Sequence, residues 1–262
     1  MTTLYKLTDC NRYTRDDTRW GEFITHSVPK QNKGVKLCTN QVIHAYEHPV
    51  VAVLMNPVHA DLMGPRLWVA KGKIVNRDGD LKCGVKKLIT LQQIPLPTLT
   101  QTEQLEIVVR CVLARYRKKS LVTWARSWLD GTDRSQKAAL RCVNDIVSTI
   151  HEVSMIPRMI MEPNAYNVHF QLAQAIQAIS RAGKRPLNLI KIIEKVRKGP
   201  GRVLTVADCG KLRRVRVLDS TNDWSLIGEA TIRQVTKTYC KIQYRGFDVA
   251  IRYPLTDVWC VR

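Results

Sequence analysis

The stretch His44-Ala-Tyr-Glu47-His48 spells the spacing of an inverted zinc-protease motif. On a helix, imidazoles four residues apart converge on one metal and the neighbouring glutamate serves as general base. Pro49 follows at once, and a residue before proline is driven out of helical backbone. The spelling therefore predicts no catalytic zinc. A looser set, Cys38, His44, His48 and His59, carries suitable donor atoms but no finger spacing. None of the eight cysteines forms a C-x-x-C pair, so zinc-ribbon and thioredoxin-like chemistry both fail. Asp78-Gly79-Asp80 resembles a fragment of a calcium loop without its remaining ligands and terminal glutamate, and is expected to be a turn. There is no phosphate-cradling glycine loop, nucleophile elbow or dinucleotide fingerprint. The expectation is no catalytic residue, no metal and no cofactor.

Cationic side chains are the other chemistry on offer. Forty-two Lys and Arg stand against 22 Asp and Glu, giving a formal charge of +20. Such an excess repels itself in a folded chain, and a polyanion relieves that cost. Nucleic acid is the usual one, because neutralised phosphates release counterions. The sharpest cluster is Lys191, Lys195 and Lys198, at i, i+4 and i+7 opposite Leu189, Ile193 and Val196, with Lys184, Arg185 and Arg197 nearby. A solvated outer helix face shows the same pattern. A second group, Arg115, Arg117, Lys118 and Lys119, sits where cations also complement a helix dipole. A third is Arg213, Arg214 and Arg216; Arg214 and Arg216 share one face of a strand and, with Lys241 and Arg252, could make a basic sheet surface. Trp124 and Trp128, four apart, read as core. Trp224, in an expected loop over 220–225, is the best exposed aromatic for stacking on a base or partner.

These residues need elements to hold them. Over 1–97, short apolar pieces (35–37, 50–55, 67–69, 74–75 and 88–94) separated by Gly64-Pro65 and Asp78-Gly79 predict a mixed α+β domain closed by Pro95 and Pro97. From Thr98 the apolar period becomes helical. A Thr100…Glu103 capping box starts a stripe of Leu105, Val108, Val112, Leu113 and Tyr116. Leu121, Trp124 and Trp128 follow, stopped by Gly131. Asp133 with Gln136 is expected to open a helix with Leu140, Val143, Val147 and Ile150. Asn164 is expected to cap one with Val168, Leu172, Ile176 and Ile179, and Leu189, Ile192, Ile193 and Val196 form the last, stopping at Gly199-Pro200. Residues 98–198 thus form a helical middle domain. Over 199–262, β-branched alternation predicts strands at 203–206, 213–218, 229–235, 238–244, 247–253 and 258–261, with a hairpin turn at Arg245-Gly246. Strand count and length suggest a small barrel-like module of SH3 or Tudor type. The fold class is α+β in three segments.

The run Val35-Lys-Leu-Cys38, Ile43-His44, His48-Pro49, Asn56-Pro-Val-His-Ala-Asp61 and Arg66-Leu-Trp68 resembles an uncharacterised N-terminal domain of phage and phage-derived genes. Thr98–Ala139, with Trp124-Ala-Arg-Ser-Trp128-Leu-Asp-Gly131 and Asp133-Arg-Ser135, is similar to the helical segment that trails it. Together they cover about half of the 262 residues. The resemblance implies a phage or mobile-element setting and no activity. It favours a non-enzymatic accessory protein that binds nucleic acid or a nucleoprotein complex. The alternative is a virion component, or an inhibitor meeting an acidic surface of a host nucleic-acid machine. The first segment is also loosely similar to ADP-ribosyltransferase folds, but those enzymes need a late carboxylate, and between Glu47 and Glu103 there is no glutamate, only Asp61, Asp78 and Asp80. No apolar run reaches membrane-span length and the start MTTLYKLTD reads as no signal peptide. A soluble protein of the cytoplasm, with no membrane partner, is expected.

Overall fold

The computed structural model describes residues 1–15, 17–28, 36–146, 156, 167–183 and 185–197, and the backbone of the strands between 201 and 261. It is an α+β protein whose helices accompany antiparallel sheets. Two compact units emerge: residues 1–125 with 135–192, and residues 126–134 with 193–262.

In the first unit, two long strands form a hairpin. Strand β6 (Arg66–Asp78) turns at Gly79, whose φ is +53°, into β7 (Lys82–Ile94). The sequence showed these strands only as fragments, because charged residues alternate with the apolar ones along β6. Lys71, Lys73 and Arg77 are exposed, whereas Leu67, Trp68, Ala70 and Gly72 are buried. Strand β1 (Thr2–Thr8) pairs with β6 from Thr2↔Gly72 to Thr8↔Arg66. On its other edge β7 holds β4 (Thr25–Ser27) and β5 (Ile43–Ala45) at successive stretches. Strands β2 (Tyr13–Thr14) and β3 (Thr18–Arg19) make a small separate hairpin. Leu4, Trp20, Ala45, Ala70, Cys83, Val85 and Leu88 form one buried cluster on this sheet.

The apolar piece 50–55 is part of a helix, α1 (Pro49–His59), opened by proline at its first position. His48, in extended backbone with φ −141° and ψ 137°, caps it by accepting from the Val50 amide at 3.2 Å. Helix α2 (Gln101–Arg115) carries the expected capping box: Thr100 Oγ1 accepts from the Glu103 amide at 3.1 Å, and the Glu103 carboxylate accepts from the Thr100 amide at 2.9 Å. Its burial is wider than one stripe. Ile107, Val109, Cys111 and the stem of Glu106 are covered as well, and Glu106 is answered by Arg110 at 2.6 Å.

Helix α3 (Lys119–Asp130) ends before Gly131 at φ +76°, as the sequence suggested. Helix α4 (Gln136–Ile146) differs from expectation at Leu140. Ser135 Oγ accepts from the third helical amide, Ala138, at 3.2 Å. Ala139 and Cys142 are buried while Leu140 is 48% exposed. Leu140 of the expected stripe therefore faces outward, while the Val143 side chain, Val147 and Ile150 lie outside the described residues. Helix α5 (Val168–Arg181) buries Val168, Leu172, Ile176 and Ile179 as read, and packs on α1 and α2. Asn167 is its cap residue; Asn164 lies outside the described residues. Helix α6 (Leu189–Arg197) buries Leu189, Ile193 and Val196.

The second unit carries six strands in the order β12-β11-β10-β9-β13-β8, every described pair antiparallel. They are β8 (Gly201–Val203), β9 (Leu212–Leu218), β10 (Trp224–Val235), β11 (Tyr239–Tyr244), β12 (Ile251–Pro254) and β13 (Val258–Val261). Strand β10 is longer than expected. Its register shifts between Leu226 and Gly228, and a bulge puts two adjacent apolar residues, Leu226 and Ile227, into the strand. That breaks the two-residue period a sequence reading relies on. Trp224 therefore opens β10 opposite Leu218 and does not lie in a loop. The Arg245-Gly246 turn is outside the described residues.

Candidate functional site

Strand register decides how the cations of the second unit are grouped. Side chains alternate across a strand and directly paired residues share a face. Arg214 pairs with Glu229, and Arg216 stands between Leu226 and Trp259. Lys241 stands between Gln234 and Arg252, and Thr231 pairs with Gln243. The two bulges, at 226–228 and 232–234, keep these rows in phase. One face of the sheet thus carries Arg214, Arg216, Lys241 and Arg252, with polar Thr231, Gln234 and Gln243, the acid Glu229, and the apolar Leu212, Leu218, Trp224, Leu226 and Trp259. The opposite face has Val215, Val217, Ala230, Ile232, Ile242 and Cys260, together with Arg202. Arg213, paired with Ala230, belongs to that second face and is separated from its neighbours Arg214 and Arg216.

The lysine helix is α6. Lys191 and Lys195 are exposed one turn apart while Leu189, Ile193 and Val196 are buried, so the amphipathic division is real. Arg185 is exposed just before it. Lys184 and Lys198 lie outside the described residues. At the other end Asp80 Oδ2 accepts from the Ile190 amide at 3.4 Å, placing a carboxylate on the positive end of the helix.

The group at the end of α2 divides. Arg115 donates to the carbonyls of Ile179, Ser180 and Arg185, each at 3.0 Å, and so clamps the C-terminal end of α5. A β-carbon at Gly183 would overlap this guanidinium. Arg117 caps its own helix through Leu113 and Tyr116. Both arginines answer helix dipoles.

Trp124 and Trp128 are buried, as their spacing suggested. The Arg134 guanidinium lies 4.7 Å over the Trp128 ring and donates to its carbonyl at 2.9 Å.

The histidines and Cys38 do not gather on a metal. His44 is in β5 and His48 caps α1, so the two are not on one helix. His59, at the end of α1, contacts Tyr46 Oη through Nδ1 at 3.4 Å and receives Gln177 Nε2 on its Nε2 at 3.2 Å. Among the described residues no group of three or more His, Cys, Asp or Glu could hold a metal ion. A polar cluster that sequence reading missed surrounds them instead. His44 Nε2 accepts from the Cys38 amide at 2.9 Å, and Lys82 donates to Cys38 Sγ at 2.9 Å. Lys6 donates to the His44 carbonyl at 3.0 Å and lies 5.1 Å from the Trp20 ring. Burial pushes Lys6 down to about 8. Burial first, then the charges of Lys82, Lys6 and Arg15, pushes His44 down to about 4. Burial, then Lys82, pushes His59 down to about 3. Cys38 and His44 are only six residues apart, whereas Lys82 joins them through the pairing of β5 with β7, so no local motif announces it.

The carboxylates in this region are engaged. Glu47 forms a two-pronged pair with Arg77 at 2.7 and 3.1 Å, and Asp78 pairs with Arg181 at 2.5 Å.

No family model matches the chain, and neither the curated proteins nor the solved structures hold a match. Among the described residues no helix is long and apolar enough to cross a membrane.

Proposed function

We propose that this chain is a non-enzymatic nucleic-acid or nucleoprotein binder, and that the cationic face of the C-terminal sheet is its principal contact. One observation carries the reading: strand register collects Arg214, Arg216, Lys241 and Arg252 on one face against a single acid, Glu229, among the described strand residues. Adjacent strands are about 4.8 Å apart, so cations on β9, β11 and β12 cover roughly 14 Å of sheet and can meet several phosphates of one backbone. Trp259, beside Arg216 in the register, adds an aromatic that can stack on a base. The meander β9–β12 with β13 returning beside β9 supports the small-barrel reading of this module. Lys191 and Lys195 on α6 are a second, independently testable contact. A phage-type accessory role in a host cytoplasm rests on the motif resemblance of the first half.

The test is a salt titration of binding to a labelled RNA and a labelled duplex. With four phosphates neutralised on duplex DNA, the logarithm of the binding constant falls against the logarithm of salt with a slope of about −3.6. Arg214→Ala and Lys241→Ala each reduce that slope by about one while weakening binding across all sequences. A lack of binding to either polymer at low salt would overturn the proposal. Capture of an acidic protein in its place would do the same.

A further inference from the structure

Cys38 and Lys82 bring an oxidisable sulfur against a primary amine, in a cluster the nucleic-acid reading does not use. Cys38 is exposed, and its backbone is held in the left-handed region at φ +61°. Its amide is tied to His44 Nε2 at 2.9 Å, which holds the backbone that carries the thiol. Lys82 lies beneath it, 8% exposed, at the start of β7 in register with Asp78. Its Nζ is 2.9 Å from Cys38 Sγ, no farther than the roughly 3–3.5 Å of a near-attack arrangement. An exposed sulfur over a buried amine is accessible to a small oxidant, while the amine is held for the step that follows.

We propose that Cys38 and Lys82 form a reversible peroxide-driven modification site, closed by a sulfur–nitrogen bond. The sulfur of the Cys38 thiolate attacks one oxygen of hydrogen peroxide. The oxygen–oxygen bond breaks and hydroxide leaves with its electron pair, so sulfur is oxidised by two electrons and peroxide is reduced. The Lys82 nitrogen, as free base, then gives its lone pair to the sulfur of the sulfenic acid. The sulfur–oxygen bond breaks, and the departing hydroxide takes a proton from nitrogen as water. Thiol, amine and hydrogen peroxide thus become a sulfenamide and two waters. Condensation of a sulfenic acid with a backbone nitrogen has the same form; here a side-chain amine is the nearer partner. Two equivalents of an added thiol reopen the bond and restore both residues.

The other described cysteines mark the contrast. Cys83 is buried, donates to the Ala45 carbonyl at 3.3 Å, and is pushed up to about 12, first by burial. Cys111 and Cys142 are buried, and such thiols are inert. Cys10 is exposed and serves as an internal comparison.

The experiment treats the reduced, full-length protein with graded hydrogen peroxide, blocks remaining thiols, and maps chymotryptic peptides by mass spectrometry. The expected product joins the peptides of Cys38 and Lys82 with the loss of two hydrogens, and dithiothreitol returns both. Cys10 forms no such product. Cys38→Ser and Lys82→Arg each abolish it, with circular dichroism verifying that both variants are folded. Two results would overturn the proposal. One is Cys38 carried to sulfinic acid or a disulfide while the Lys82 peptide stays unlinked; the other is Cys38 left unoxidised at doses that oxidise Cys10.

Discussion

At the scale of single residues, tertiary hydrogen bonds give several charged side chains specific work. Arg115 spends its guanidinium on three carbonyls at the end of α5. Hydrogen bonds from a charged donor contribute about 1.5–3 kcal/mol each, and the three are not additive. Arg115→Ala is expected to destabilise the fold by about 2–4 kcal/mol in urea unfolding, and Lys at this position recovers only part, since an ammonium cannot span the same fork. Gly183→Ala is expected to act in the same direction by displacing the guanidinium. His44 and His59 supply a second prediction. Their folded values, about 4 and about 3, lie below the ordinary 6.5, so the native state holds them neutral. The stability tied to this is fully present above about pH 6.5 and is lost as pH falls toward the folded values, because the unfolded chain binds protons first. The melting temperature should fall between pH 7 and pH 5, and the fall should be shallower in His59→Gln. Equal slopes for the two proteins would refute the assignment.

At the scale of elements, local signals and long-range pairing divide the labour. The capping box of α2 is written in four consecutive residues and forms as written. Thr100→Ala should cost about 1 kcal/mol, measurable as a lowered denaturation midpoint with unchanged slope. The α6 face is likewise legible, because a 3.6-residue period sorts Leu189, Ile193 and Val196 from Lys191 and Lys195. Lys191→Glu with Lys195→Glu should not lower the melting temperature, since both residues are exposed and the change relieves part of the cationic excess, and should weaken polynucleotide binding wherever this face is a contact. The start of strand β10 is not legible in the sequence for a definite reason. A bulge shifts the phase of the alternation, and Trp224 then falls in a strand whose pairing no local pattern reveals.

At the scale of the whole molecule, charge is the dominant property. A formal +20 on 262 residues repels itself in the native state. Screening shortens the reach of that repulsion to about 8 Å at physiological ionic strength. The melting temperature should therefore rise as sodium chloride is raised from low concentration to about 0.15 M, a range set by the same screening length. Heparin or RNA should raise it further at equal ionic strength if a polyanion is bound to the native state. A melting curve indifferent to salt would mean that the cations are spaced widely enough not to interact.

The sequence by itself determined the α+β class, the helix caps at Thr100 and Gly131, the buried tryptophans 124 and 128, the apolar stripes of α5 and α6, and the cationic excess. Each of these is set by neighbours within a turn or two, or by composition, which no folding step alters. Tertiary structure alone decided which acids and thiols have partners and which arginines are occupied inside the fold. Arg115 is occupied by carbonyls more than sixty residues away. Cys38 meets Lys82 only because β5 and β7 pair. Side-chain chemistry is fixed when the chain is made, but the distance between two groups far apart in sequence is fixed only by the packing of the elements that carry them.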